Sequence, residues 1–186
     1  VAVYPAMSSP TPGAANSAPR VGPIVLSEIL YRPSSNSVEF VEIHAPTSGV
    51  VQLYDPAAPT NAWKLTGGLS YTFPLGSVLT GGQYAVIAGC DPAEFRASNS
   101  VPGSVQVFGP FEGRLSSDGD RVRLRRPAPP EPTGFVPMVV IDEVEYDDVA
   151  PWPAAGSIGG RSIERVDASL YGNDPANWRA GLPNGN

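Results

Sequence analysis

Glycine and proline punctuate this chain so densely that long regular elements have no room to form. The 186 residues include 20 Gly and 22 Pro, and the longest apolar run, Tyr84–Ala88, is only strand-sized. Gly weakens the interior of any element through lost backbone entropy, and Pro removes a hydrogen-bond donor, so the chain must fold as short segments joined by turns. Between the breaks the residues are β-branched or alternate apolar with polar, which suits a pleated, half-buried surface. Strands are expected at 24–30, 38–44, 50–54, 62–66, 71–73, 83–88, 104–108, 121–126, 138–146 and 161–166. In the second of these, Val41 and Ile43 share one face while Phe40, Glu42 and His44 share the other. Gly81-Gly82 and Asp118-Gly119 stand where tight turns are needed. About ten short strands with frequent turns predict an all-β sandwich. One helix is expected, opened by Asp91 as N-cap, Pro92 in the first turn and Glu94 three residues on.

Residues 1–22 are rich in Pro, Ala, Ser and Gly with a single charge, and read as a linker or extended arm. The sandwich is expected over 23–181, with 182–186 starting a C-terminal linker. The chain opens on Val1 with no basic-then-apolar leader, as expected of a piece of a longer protein. A second Pro-rich stretch, 127–137, reads as a loop. No apolar run approaches the roughly 20 residues that a helical membrane span requires.

Charge and side-chain inventory narrow the chemistry. With 12 Lys and Arg against 18 Asp and Glu, the net charge is -6, the wrong sign for a phosphate backbone. The one basic run, Arg121, Arg123 and Arg125 on a single strand face, is expected to meet Glu143, Glu145 and Asp147 across a hairpin. A single Cys and a single His rule out an intrachain disulfide and leave little for acid–base work. His44 ends a strand and reads as an edge residue rather than a catalytic one. Cys90 precedes the helix start, where amide dipoles favour a thiolate, but it reads more simply as a small hydrophobe ending a strand. Catalytic residues are therefore expected to be none. Calcium takes six to eight oxygens, and Glu28, Glu42, Asp142 and Asp147 are the candidate ligands, although no regular calcium-loop spacing joins them. Trp63, Trp152, Trp178, Phe73, Phe95, Phe108, Tyr31, Tyr84 and Tyr146 could stack on a glycan, but in a domain this size most must pack the core.

The segments, in their order, resemble the lamin tail domain in its bacterial extracellular form. Val25-Leu-Ser-Glu-Ile-Leu-Tyr31 is close to the family's V-x-N-E-I-x-Y, with Ser27 where Asn is usual. Glu39-Phe-Val-Glu-Ile43 is similar to its E-W/F-I-E-L strand, and Trp63-Lys-Leu65 to its G-W-x-L, here with Ala62 for Gly. Tyr71-Thr-Phe-Pro74 followed by Leu79-Thr-Gly-Gly-Gln-Tyr-Ala-Val-Ile-Ala88 resembles Y-x-F-P…L-x-P-G-x-Y-x-V-L-A. Leu115-Ser-Ser-Asp-Gly-Asp-Arg-Val-Arg-Leu124 is similar to L-S-N-x-G-E-x-V-x-L. Trp152-Pro153, Arg161-Ser-Ile-Glu-Arg165 and Pro175-Ala-Asn-Trp-Arg179 complete a pattern covering about 21–181. Ser9-Pro-Thr-Pro-Gly-Ala-Ala-Asn16 also looks like the segment that closes such a domain, so the arm is either the tail of a preceding module or a plain linker.

The resemblance implies an immunoglobulin-like β-sandwich of about eight to ten short strands with one short helix. It implies a noncatalytic binding or spacer module in a larger secreted or cell-surface bacterial protein, with a protein or extracellular polymer as partner. Neither nucleic acid nor a membrane is expected as partner, and a monomer is the default. The rival reading is an accessory domain of an extracellular hydrolase with a metal- or glycan-binding role. A cleft enclosing Glu28, Glu42 and His44, with bound metal, would favour that rival, and a smooth convex surface would favour the module.

Overall fold

Alternation along short strands builds two stacked sheets in the computed structural model, which describes residues 6–35, 37–154 and 160–181. In chain order the strands are β1 (Val25–Leu30), β2 (Phe40–His44), β3 (Val50–Gln52), β4 (Tyr54–Asp55), β5 (Ala58–Ala62), β6 (Lys64–Gly67), β7 (Leu69–Thr72), β8 (Val78–Thr80) and β9 (Tyr84–Ala88). After helix α1 (Pro92–Ser98) come β10 (Gln106–Phe108), β11 (Glu112–Gly113), β12 (Asp120–Pro127), β13 (Met138–Tyr146), β14 (Ile163–Arg165) and β15 (Trp178–Ala180). One sheet has the order β10-β9-β2-β1-β14-β15 and the other β11-β7-β6-β12-β13; β3-β8 and β4-β5 form two small ribbons. The chain is an all-β sandwich, as its turn spacing predicts, with one short α-helix and a single 3-10 turn (Pro175–Asn177) among the described residues. Its strands number fifteen among the described residues, against about ten expected. The extra ones, such as β5 with its Pro59 and the two-residue β11, take their pairing from β4 and β7 rather than from their own propensity.

Pairing is antiparallel except between β9 and β10, which run parallel and are joined through α1. β1 and β15 each run antiparallel to β14, so they point the same way. Ala180 therefore lies level with Ile163 and Ile29 at one end of the sheet, while Val25 lies opposite His44 at the other.

The core fills the space between the sheets. Leu26, Ile29, Val41, Ile43, Leu65, Val122, Leu124, Val144 and Ile163 are buried there with Trp63. Tyr31 stacks on Tyr146 at 4.3 Å, and the Tyr146 hydroxyl donates to Ser116 O at 2.9 Å. Most of the aromatic set is consumed in this core: Trp152 packs near Trp178, whose indole N–H donates to Gly172 O at 2.7 Å. Val86 is buried outside this two-sheet core. It points outward into a satellite cluster with Ala88 and Phe95, because α1 covers the outer side of β9 and that strand is apolar on both faces.

Asp142 of β13 and Arg165 of β14 clamp the two sheets together. Asp142 Oδ2 accepts from Arg165 Nη1 at 2.6 Å and from Leu26 N of β1 at 2.8 Å. The two side chains are 6% and 1% exposed. Arg165 also donates to Leu26 O and Leu170 O, so both Nη groups are paired away from water, while the buried Nε meets no acceptor.

The basic run is neutralised largely as its alternation predicts. Arg121 faces Glu145 and Arg123 faces Glu143, and both pairs are ion-paired. The expected third partner, Asp147, takes no part. A register shift after Leu124 sets Arg125 opposite Val140, where it donates to Met138 O at 3.0 Å. Asp147 lies beyond β13 and accepts from Val149 N. Gly67 permits the close approach of β12 to the end of β6: its φ is +126°, and a Cβ there would fall 1.7 Å from Arg121 O.

Before β1 the chain folds on itself. Ser8 N donates to Ala18 O at 2.9 Å and Arg20 N to Ala6 O at 2.7 Å, making a small, largely exposed hairpin. Among the described residues no helix is long and apolar enough to cross a membrane.

Candidate functional site

The outer face of the six-stranded sheet carries the polar residues that the strand alternation turns away from the core. On β2 these are Phe40, Glu42 and His44. On β1 the pairing with β2 shifts register between Leu26 and Glu28. Such a bulge lets two successive residues share one face, and Ser27 Oγ accordingly donates to Glu42 Oε1 at 2.8 Å. Glu28 lies opposite Glu42 on one side and Glu164 of β14 on the other. Three carboxylates thus stand in a row across three neighbouring strands. Like charges directly opposed in a sheet are unfavourable, and the row is only partly compensated. Arg179 of β15 reaches Glu164 Oε2 from outside at 2.9 Å, whereas among the described residues no cation pairs with Glu28 or Glu42.

The electrostatics follow from this placement. The Glu42 pKa is pushed up to about 7, chiefly by burial, with the Ser27 hydrogen bond opposing the rise and the charges of Glu28 and Glu164 adding to it. Glu28 is raised too, first by burial, with the Ser162 hydroxyl opposing the rise and Glu164 adding to it.

Two adjoining hollows open on this face. The smaller, of about 290 Å³, is bounded by Ser27, Glu28, Glu42, His44, Tyr84 and Glu164. His44 stacks on Tyr84 at 4.1 Å, and its Nδ1 lies 3.1 Å from Gln83 O. The larger, of about 770 Å³, shares Glu28 and Glu42 and continues over Leu30, Phe40, Val86 and Phe95. Its far wall is built by α1 and the loop after it. Asp91 caps the helix by accepting from Ala93 N and Glu94 N, which lays Phe95 edge-on against Phe40 at 5.6 Å. Arg96 then fixes the loop by donating to the carbonyls of Val101, Pro102 and Val105. The result is a groove with a carboxylate end and an apolar shelf.

Compared with models of known protein families and with curated proteins, the chain matches none.

The four calcium candidates do not converge. Glu28 and Glu42 are neighbours, but Asp142 is committed to Arg165 and Leu26 in the core, and Asp147 closes a turn. Among the described residues no group of three or more His, Cys, Asp and Glu is placed to hold a metal ion. Cys90 is partly buried, and burial followed by the nearby charges of Glu94 and Asp91 raises its thiol pKa, the opposite of what a thiolate nucleophile needs. Of the aromatic set, Tyr84 stays open at 44% exposed. Glu164, Ser162 and the loop-fixing Arg96 were not singled out in the sequence. Glu164 was legible in principle, since its strand alternation sets it on the outer face, but its register against Glu28 is a tertiary fact.

Proposed function

We propose that this chain is a noncatalytic binding module, a lamin-tail-like sandwich of a larger secreted or cell-surface protein that meets a protein or surface-polymer partner. The order of motifs over about 21–181 and the all-β sandwich both support this reading. The observation that carries it is the groove on the outer face, where a half-buried carboxylate pair adjoins an apolar shelf walled by α1. A concave surface with a few convergent polar groups over an apolar floor is the usual form of a binding site.

A second reading is favoured by one observation. Glu28, Glu42 and His44 come together in one cleft, the polar cleft that a catalytic fragment of an extracellular hydrolase would need. One experiment separates the two. Chromogenic glycoside, ester and phosphate-ester substrates are incubated with the wild type and with Glu42→Gln. The module reading expects no turnover above blank from either protein. Turnover that vanishes in Glu42→Gln would replace it with the hydrolase reading.

A further inference from the structure

We propose that the Asp118–Gly119 bond is a site of spontaneous covalent modification, at which the main chain is rerouted through the Asp118 side chain to give isoaspartate. The site lies in the turn between β11 and β12, and it is independent of the groove and of the module reading.

The fold itself makes this bond reactive. Gly119 has φ +116°, and a Cβ there would stand 3.0 Å from Tyr146 O, so the turn selects a residue without a side chain. The same absence leaves the Gly119 amide unshielded, and that amide donates no hydrogen bond among the described residues. Asp118 is exposed. Its own amide is held by Ser116 Oγ at 3.2 Å, whereas its carboxyl group has no partner among the described residues and is free to turn back on the chain.

The reaction needs no co-reactant but water. The Gly119 nitrogen attacks Asp118 Cγ and bonds to it, while the Cγ–OH bond breaks and the hydroxyl leaves with the amide proton as water. A five-membered imide results. Water then adds at the Asp118 main-chain carbonyl and breaks its bond to the Gly119 nitrogen. That leaves a free α-carboxylate and a chain that runs through Cγ; addition at Cγ instead restores Asp118.

Among the described residues no other aspartate meets these conditions. Asp55, Asp91 and Asp174 precede proline, whose nitrogen has no proton to lose. Asp120 is held at both oxygens by the Ser116 and Arg121 amides, and Asp142 is locked to Arg165 and Leu26. Asp147 and Asp167 accept from the Val149 and Ser169 amides, and Asp148 precedes the β-branched Val149.

The structural consequence is local. Isoaspartate adds one carbon to the main chain between Ser116 and Asp120. The Ser116 amide donates to Asp120 Oδ2 at 3.1 Å, and its carbonyl accepts from the Tyr146 hydroxyl at 2.9 Å. The longer link therefore loosens a turn that anchors a core tyrosine.

The test ages the folded chain at physiological temperature over weeks, beside a synthetic peptide of the segment Leu115–Arg121. Trypsin releases this same segment by cutting after Arg114 and Arg121. Isoaspartate is read as a second peak of equal mass, and as methyl groups transferred from S-adenosylmethionine by an isoaspartyl methyltransferase. Both signals should arise in segment 115–121 of the folded chain, at a rate within an order of magnitude of the free peptide's. Both should vanish in Asp118→Glu, whose longer side chain would have to close a six-membered ring. The modified fraction should exchange its Ser116 amide faster than the unmodified chain; equal exchange would overturn the loosening of the turn. Asn184–Gly185, outside the described residues, falls in a separate tryptic segment and is scored apart. A signal that persists in Asp118→Glu would move the reaction to Asp120 and overturn the assignment. Faster conversion at any other aspartate, or a folded chain unchanged after the free peptide has converted, would overturn it as well.

Discussion

Replacing Asp142 with Ala removes the acceptor at the centre of the inter-sheet clamp. Its Oδ2 receives both Arg165 Nη1 and Leu26 N, so the substitution strands a guanidinium whose side chain is 1% exposed and orphans a buried amide. Breaking one partner of a buried ion pair costs about 3–5 kcal/mol. Arg165 keeps Leu26 O and Leu170 O as acceptors, which places the loss near the lower end, at about 3–4 kcal/mol. For a domain of this size each kcal/mol moves Tm by about 2–4 °C, so melting should fall by about 6–16 °C. Urea unfolding is the better assay, because an unchanged slope would show that the unfolded state is not altered. The double variant Asp142→Leu/Arg165→Met, which removes both charges and fills the space with apolar atoms, should lose less than Asp142→Ala alone. An Asp142→Ala loss below about 1 kcal/mol, or a double variant worse than the single, would refute the clamp.

Glu42 gives a pH-dependent prediction. Its folded pKa of about 7 lies above the ordinary 4.5, so the folded state holds a proton that the unfolded chain has released. That contribution to stability is complete below about pH 4.5 and lost as pH rises through about 7. Glu42→Gln cannot ionise, and urea titrations should find it more stable than wild type at about pH 8 by on the order of 2–3 kcal/mol, the gap closing by about pH 4.5. Deleting residues 1–20 should leave the urea midpoint nearly unchanged, because the hairpin at 6–20 bonds to itself; a loss of several kcal/mol would make the arm an integral part of the fold. Fluorescence titration with random duplex DNA at about 0.15 M salt should be flat, since Glu143 and Glu145 neutralise Arg123 and Arg121; a saturable, salt-sensitive signal would contradict the charge argument.

The parts of the fold that were legible in the sequence are those set by local periodicity. The faces of β2, the Arg–Glu ladder at 121–123 and 143–145, and the Asp91 cap all follow from spacing along one or two adjacent segments. What was hidden depends on meetings between distant segments. Asp142 reads as a possible calcium ligand until Arg165 is seen beside it, 23 residues away. Glu28 and Glu42 read only as two of four scattered calcium candidates until the bulge at Ser27 and the approach of β14 set them in one row with Glu164. The groove wall is similarly unreadable, because nothing in the sequence says that Arg96 will gather three carbonyls from the loop after its own helix.

The parallel sense of β1 and β15 has a mechanical consequence. Tension applied at Gly22 and Gly181 would pull the two strands in opposite directions along their own axes, with β14 between them. Sheet hydrogen bonds lie across the strands, so this load would shear the β1–β14–β15 ladder and require its bonds to fail together. Val25 and His44 sit side by side at one end of the β1–β2 pair, and pulling there would peel the bonds one after another. Force spectroscopy with handles at these two pairs of positions should register a higher rupture force for the first, giving the sandwich the behaviour of a load-bearing link along the axis in which its ends emerge.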